Sequence, residues 1–334
     1  MCIVIVSTSH PEYPFILLSN RDEFLSRPTA LADWWEAPNE YVLGGRDQQR
    51  KEAGTWLAIT KQGRIAALTN FREEGDQYKP TGKSRGAIVN AYLTGEIGET
   101  PRDFASRLIN EVGVADVGGF SLLYGELRAP EKDSGARAGL SILSNRSASA
   151  ENLVTIATEP YEVHGLSNSH FGDTSWPKVV LGEQLLEDAI GHDVLNPKEG
   201  QSVLIQNLFK ILSNDRLPKR QQNEDWDAYV RHMRKSILIP PAGIDGATAD
   251  RVAAAQTKEV QQMSRSGYDT PDHNNVEVRP ESGGYGTQKQ TVILVDKDGK
   301  VKYIERTLYN QNGTPTRAGD RDRMFEFVIE GWQG

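Results

Sequence analysis

Residues Cys2-Ile3-Val4-Ile5-Val6-Ser7, the turn-forming Pro11-Glu12-Tyr13-Pro14 and the run Phe15-Ile16-Leu17-Leu18-Ser19-Asn20-Arg21-Asp22-Glu23 follow one another at the start of the chain. The two apolar, partly β-branched runs read as strands, and the proline-flanked stretch between them as their connection. In such a hairpin the end of the second strand lies beside the beginning of the first. The polar block Asn20-Arg21-Asp22-Glu23 is thereby brought to Cys2. Because side chains alternate along a strand, Asn20 and Asp22 share one face, and Arg21 and Glu23 the other.

Working outward, residues 55–60 and 64–70 form a second hairpin through Lys61-Gln62-Gly63, with Gly63 free to take a positive φ. Further strands are expected over 120–124, 140–144, 154–156, 291–295, 301–304 and 324–329. Helical periodicity appears from Ser84, where Ile88, Ala91 and Tyr92 share a face, and again over 102–112. Leu181, Leu185 and Ile190 fit a third helix, and Leu204, Leu208, Ile211 and Leu212 a fourth. Residues 240–284 carry few large apolar side chains and read as a long loop with a marginal helix near 247–261. Strands at both ends with helices between them predict an α+β fold, a sandwich of antiparallel sheets covered by helices. We expect a single domain over residues 1–334 with a loop-rich insertion at about 240–284.

Composition removes several function classes. The 38 Lys and Arg are outnumbered by 46 Asp and Glu, giving a net charge of −8 and no basic surface for nucleic acid. One cysteine excludes a disulfide framework and every multi-cysteine zinc pattern, and suits a reducing compartment. No apolar run reaches the roughly 18 residues of a membrane span, and the first residues resemble neither a secretory signal nor a transit peptide. A soluble, cytoplasmic protein is expected.

The position of that cysteine carries the chemistry. Removal of Met1 would place a thiol and a free α-amine on Cys2. An α-amine, with a pKa of about 8, has the right strength to take a proton from a thiol of pKa about 8.5. One residue would then supply both nucleophile and base. A small apolar side chain in a buried first strand is the bland alternative. A carboxylate would hold the ammonium and a cation would favour the thiolate, for which Asp22 and Arg21 are the candidates. Asn70 at a strand end and Asn168 in a turn could each donate to an oxyanion, or could simply cap their turns.

The blocks Met1-Cys2-Ile3, Asn20-Arg21-Asp22-Glu23-Phe24 with Ser26-Arg27-Pro28, Gly54-Thr55-Trp56-Leu57, Ala66-Ala67-Leu68-Thr69-Asn70, Gly165-Leu166-Ser167-Asn168 and Tyr285-Gly286-Thr287 are spread in order along the chain. In this combination the sequence resembles the transport and Golgi organisation protein 2 family, also called NRDE after its tetrapeptide. That resemblance implies kinship with N-terminal-nucleophile (Ntn) hydrolases of the choloylglycine hydrolase and penicillin V acylase kind, and with it a four-layer αββα sandwich. It also implies roles: Cys2 as nucleophile, Asp22 orienting the amine, Asn70 donating to the oxyanion, and Asn168 positioning amine or substrate. Those acylases use an arginine from a late strand, and here Gln288 follows the Tyr-Gly-Thr turn.

Two functions follow from the resemblance. One is a Cys2-dependent amidohydrolase or acyltransferase acting on a small or lipid-like amide or thioester, with no cofactor required. The other is a non-catalytic carrier or organising factor that uses the same pocket for a lipid or for haem as a transported ligand. The family is linked to Golgi organisation, mitochondria, lipid metabolism and haem mobilisation, which implies peripheral association with one of those organelles. Haem would call on histidine, and His164 and His170 flank the Asn168 turn, although their spacing matches no haem motif.

Overall fold

The computed structural model describes the chain except residues 1, 72–83, 97, 115–116, 220, 222–223, 243–283, 311–312, 318–319 and 334. The helix expected near 247–261 and most of the expected insertion therefore lie outside the described residues, as does Met1.

The opening hairpin forms as its sequence requires. Strand β1 (Ile3–Ser7) pairs antiparallel with β2 (Phe15–Phe24), setting Ile3 opposite Asn20. The chain then crosses to a second sheet: β3 (Thr29–Trp34), β4 (Val42–Asp47), β5 (Leu57–Thr60) and β6 (Arg64–Asn70) pair in succession. β3 and β4 were not expected: β3 mixes Thr, Ala and Asp with its apolar residues, and β4 carries two glycines, an arginine and an aspartate in six residues. The Lys61-Gln62-Gly63 turn joins β5 to β6, with Gly63 at φ +86°. Helices α1 (Arg85–Leu93) and α2 (Pro101–Arg107) follow, and α2 starts on a capping box between Thr100 and Asp103. β7 (Phe120–Glu126), β8 (Leu140–Ser144) and β9 (Val154–Ile156) complete this seven-stranded sheet, in the order β3-β4-β5-β6-β7-β8-β9.

The first sheet is assembled from both ends of the chain. β10 (Val163–Leu166) pairs with β1, and β11 (Tyr285–Val295) pairs with β2, which puts β2 at the centre of a β10-β1-β2-β11-β12-β13 array. β12 (Lys300–Thr307) and β13 (Asp322–Val328) extend it outward. Between β10 and β11 in sequence come helices α3 (Pro177–Leu195), α4 (Gln201–Leu212) and the short α5 (Trp226–His232).

Alternation along the strands sorts the apolar residues into three layers of contact. Val4, Val6, Leu17 and Ile293 face Leu57, Ile59, Ala67 and Leu123 across the gap between the sheets. Ile3, Ile5, Ile16, Leu18 and Val292 point the other way, onto Leu186, Ile190, Leu204 and Leu208 of α3 and α4. On the far side Ala58, Ala66, Leu122 and Tyr124 pack beneath Ile88, Val89 and Tyr92 of α1 and Phe104 of α2. The protein is thus a four-layer αββα sandwich of antiparallel sheets, as expected. A strand with apolar residues on both faces is what a sheet covered on both sides demands. No helix among the described residues is long and apolar enough to cross a membrane.

Candidate functional site

One end of the first sheet gathers the polar residues of the sandwich. The pairing of β1 with β10 runs to Val4 and Leu166, two residues short of Cys2 and of Asn168. Ser167 fastens the arrangement, its hydroxyl donating to the Cys2 carbonyl at 2.6 Å. On the other side of β1, the Cys2 thiol lies 3.8 Å from the backbone carbonyl of Asp22. Cys2 is half-buried, and burial pushes its thiol above the ordinary value, which outweighs the cations nearby, Arg21 among them. Such a thiol is not a standing thiolate; attack on a carbonyl requires a base to take its proton.

Asp22 and Arg21 diverge as the period of a strand dictates. The Asp22 carboxylate points to the helical layer, where both it and the Lys178 ammonium are fully buried with 3.9 Å between Oδ2 and Nζ. Its Oδ1 accepts a 2.6 Å hydrogen bond from Thr287, the residue directly opposite on β11. Tyr285 donates to the Asp22 carbonyl at 3.1 Å. Arg21 points between the sheets, on the side that Cys2 shares with Val4 and Val6. Its guanidinium stacks on the Trp56 ring, 4.5 Å from the centroid, and donates to Gln288 Oε1 at 2.6 Å. Gln288 is the extra residue of a β-bulge between Thr287 and Lys289, so the bulge turns its side chain towards Arg21.

The two asparagines meet. Asn168 Nδ2 donates to the backbone carbonyl of Asn70, joining the turn after β10 to the end of β6 in the opposite sheet. Asn168 Oδ1 is buried and accepts no hydrogen bond among the described residues. Asn168 therefore keeps an acceptor, Oδ1, and the second N–H of its amide beyond the bond to Asn70. Thr69 reinforces the same junction, donating to the Ser167 carbonyl at 2.8 Å.

Asn20, the first residue of the tetrapeptide, takes no part in this chemistry. Fully buried under the helices, it donates to the carbonyls of Leu212 and Ile237 at 2.8 and 2.9 Å. Glu23 is lowered despite the opposing effect of burial, since the Arg27 and Arg21 guanidiniums hold it ionised. His164 bonds Glu162 at 2.5 Å and His170 bonds Arg146 at 2.8 Å, each through Nε2. Those nitrogens already have partners within the protein.

Lys178 escaped the sequence reading, although a signal was available. It stands one helical repeat before Gly182 and two before Leu186 on the buried stripe of α3, a lysine in a row of apolar and small residues. Thr287 and Tyr285 could be read only as parts of a motif, since their contacts with Asp22 arise from pairing across more than 260 residues.

A family model described as "Transport and Golgi organisation 2" matches residues 1–310. The chain belongs to this Transport and Golgi organisation 2 family. Within the family it is 28% identical over 335 residues to the Homo sapiens "Transport and Golgi organization protein 2 homolog", covering 99% of this chain and 100% of that one. It is 26% identical over 322 residues to the Drosophila melanogaster "Transport and Golgi organization protein 2", covering 92% of each. Among solved structures, this family member aligns with a mutant of the conjugated bile acid hydrolase from Clostridium perfringens at 9% identity and a TM-score of 0.35, over 100% of this chain and 98% of that one. It aligns with penicillin V acylase from Agrobacterium tumefaciens at 12% identity and a TM-score of 0.32, over 99% of this chain and 88% of that one.

Proposed function

We propose that this protein is an N-terminal cysteine amidohydrolase or acyltransferase, acting on a linear amide or thioester of a small or lipid-like substrate once Met1 has been removed. The observation that carries this reading is what lies beside Cys2: Asp22, whose backbone carbonyl is 3.8 Å from the thiol and whose carboxylate is buried, and the turn that Ser167 ties to the Cys2 carbonyl, where Asn168 Oδ1 is buried without a hydrogen-bond partner among the described residues. An α-ammonium at the end of β1 belongs to neither face of the sheet and can be held by both. Positioning of this kind turns a weak amine base into an effective one.

In the reaction the amine of Cys2 takes the thiol proton as Sγ attacks the carbonyl carbon. The new C–S bond forms while the carbonyl electron pair moves onto oxygen, and the Asn70 side-chain amide donates to that oxyanion. Collapse breaks the C–N bond, and the ammonium returns its proton to the departing amine. Water, deprotonated by the same amine, then cleaves the thioester to a carboxylic acid and frees Cys2. An acyltransferase replaces that water with a second nucleophile.

The test begins with the intact mass of natively purified protein, which is expected to lack Met1. Iodoacetamide should then label Cys2, and Cys2→Ala should abolish both labelling and hydrolysis of an N-acyl amide or acyl thioester. Retained Met1, or hydrolysis that persists in Cys2→Ala, would refute the mechanism.

A further inference from the structure

We propose that Lys178 is a positioning residue for this reaction: its buried ammonium neutralises Asp22 and thereby leaves the α-amine of Cys2 in the free-base form at neutral pH. The inference rests on Cys2 being the nucleophile, and concerns which groups set the strength of its base.

The geometry is specific. Lys178 and Asp22 are both fully buried, 3.9 Å apart, one from the first turn of α3 and one from the end of β2. The helix cannot drift from the sheet: a Cβ on Gly182 would lie 2.5 Å from the Ile5 side chain, so the backbone of α3 sits directly on β1. Gly182 thus fixes, one turn away, the height of Lys178 above the Cys2 end of that strand. A lysine in such a place gives up its hydration, a cost that the carboxylate beside it offsets.

What the charge does follows from counting ions. Asp22 as the lone neighbour of a terminal ammonium would bind it tightly and raise its pKa, and an amine locked as ammonium cannot accept the thiol proton. A second cation on the same carboxylate opposes that effect by like-charge repulsion, and it also favours the thiolate as it forms. The groups facing Lys178 are consistent with this role. Burial lowers its own pKa, while Asp22 and Cys2 push it back up. On β11, Thr287 and Tyr285 give Asp22 neutral hydrogen-bond donors, the tyrosine held protonated by burial. On β2, Arg21 and Glu23 lie on the opposite face, and ahead of α3 the Trp176 ring centroid is 5.9 Å from Nζ.

The experiment is the pH profile of Cys2 alkylation by iodoacetamide, from pH 5.5 to 9.5, on protein confirmed to lack Met1. Lys178→Gln keeps a donor for Asp22 while removing the charge, and is expected to move the midpoint upward by about one pH unit. That lowers the rate at pH 6.5 about tenfold, and the difference narrows as the pH rises through the two midpoints. Lys178→Met, which fills the same volume without a donor, should shift the same way, so one folded variant suffices. Lys178→Arg retains the charge but cannot act as a base, and should keep the wild-type midpoint. Unshifted midpoints in the Gln and Met variants would overturn the proposal. Loss of reactivity in Lys178→Arg equal to that in Lys178→Gln would overturn it too, by making Lys178 itself the base. A wild-type thiol that is inert after Met1 removal would instead sink the Cys2 mechanism and this inference together.

Discussion

Asn20→Ala separates structure from chemistry within the Asn20-Arg21-Asp22-Glu23 block. The side-chain amide of Asn20 makes two hydrogen bonds to carbonyls, at Leu212 where α4 ends and at Ile237 in the segment beyond α5. Truncation removes both and strands two carbonyls in a place with no access to water. At about 1–1.5 kcal/mol for each bond, the cost is about 3 kcal/mol, slightly relieved because Asn20 Oδ1 already lies buried without a donor. With an m-value of about 3 kcal/mol per molar urea for a chain of this size, the unfolding midpoint should fall by about 1 M at unchanged slope. Urea titration followed by both tryptophan fluorescence and far-UV circular dichroism measures it. Cys2 alkylation at 20 °C without denaturant should be unaffected, because Asn20 points into the helical layer while the thiol lies on the other face of the sheet. An Asn20→Ala protein of wild-type stability whose thiol has become inert would refute this division of labour.

Other perturbations test other parts of the sandwich. A Cβ on Gly54 would lie 2.7 Å from the backbone of Gly86, where no side chain can move aside, so Gly54→Ala should push α1 off its sheet and destabilise by about 2 kcal/mol, read by thermal melting. Glu326 is lowered from 4.5 to about 2 by Lys300, then Lys302, so its contribution to stability is complete above pH 4.5 and lost as the pH falls towards 2. Because that site is exposed the effect stays below about 1 kcal/mol; Glu326→Gln should flatten the acid limb of the melting temperature in low salt and do nothing in 1 M salt. Arg21→Met should leave Gln288 without its donor and Trp56 without its stacked cation, lowering the melting temperature while the midpoint of the alkylation profile moves up, since one favourable cation near the thiol is gone.

Much of this was legible in the sequence because the signals are local. Apolar runs of five or six residues bounded by Gly, Pro and Asn mark strands wherever they occur, and the change to helical spacing after Ser84 and after Trp176 marks the covering layers. The position of Cys2, the alternation that parts Arg21 from Asp22, and the strand-end location of Asn70 follow from the same local rules. The sequence by itself therefore determined a two-sheet sandwich with a thiol at the head of its first strand and a polar block beside it. Only the tertiary structure decided which polar groups act together. Thr287 and Tyr285 reach Asp22 because β11 adds to β2 across the length of the chain, and Gln288 meets Arg21 because a bulge falls at that residue. Lys178 reaches the carboxylate because Gly182 lets α3 rest on β1. Side-chain periodicity is written residue by residue, whereas these contacts depend on how separate elements dock, and docking is set by packing that no single segment contains.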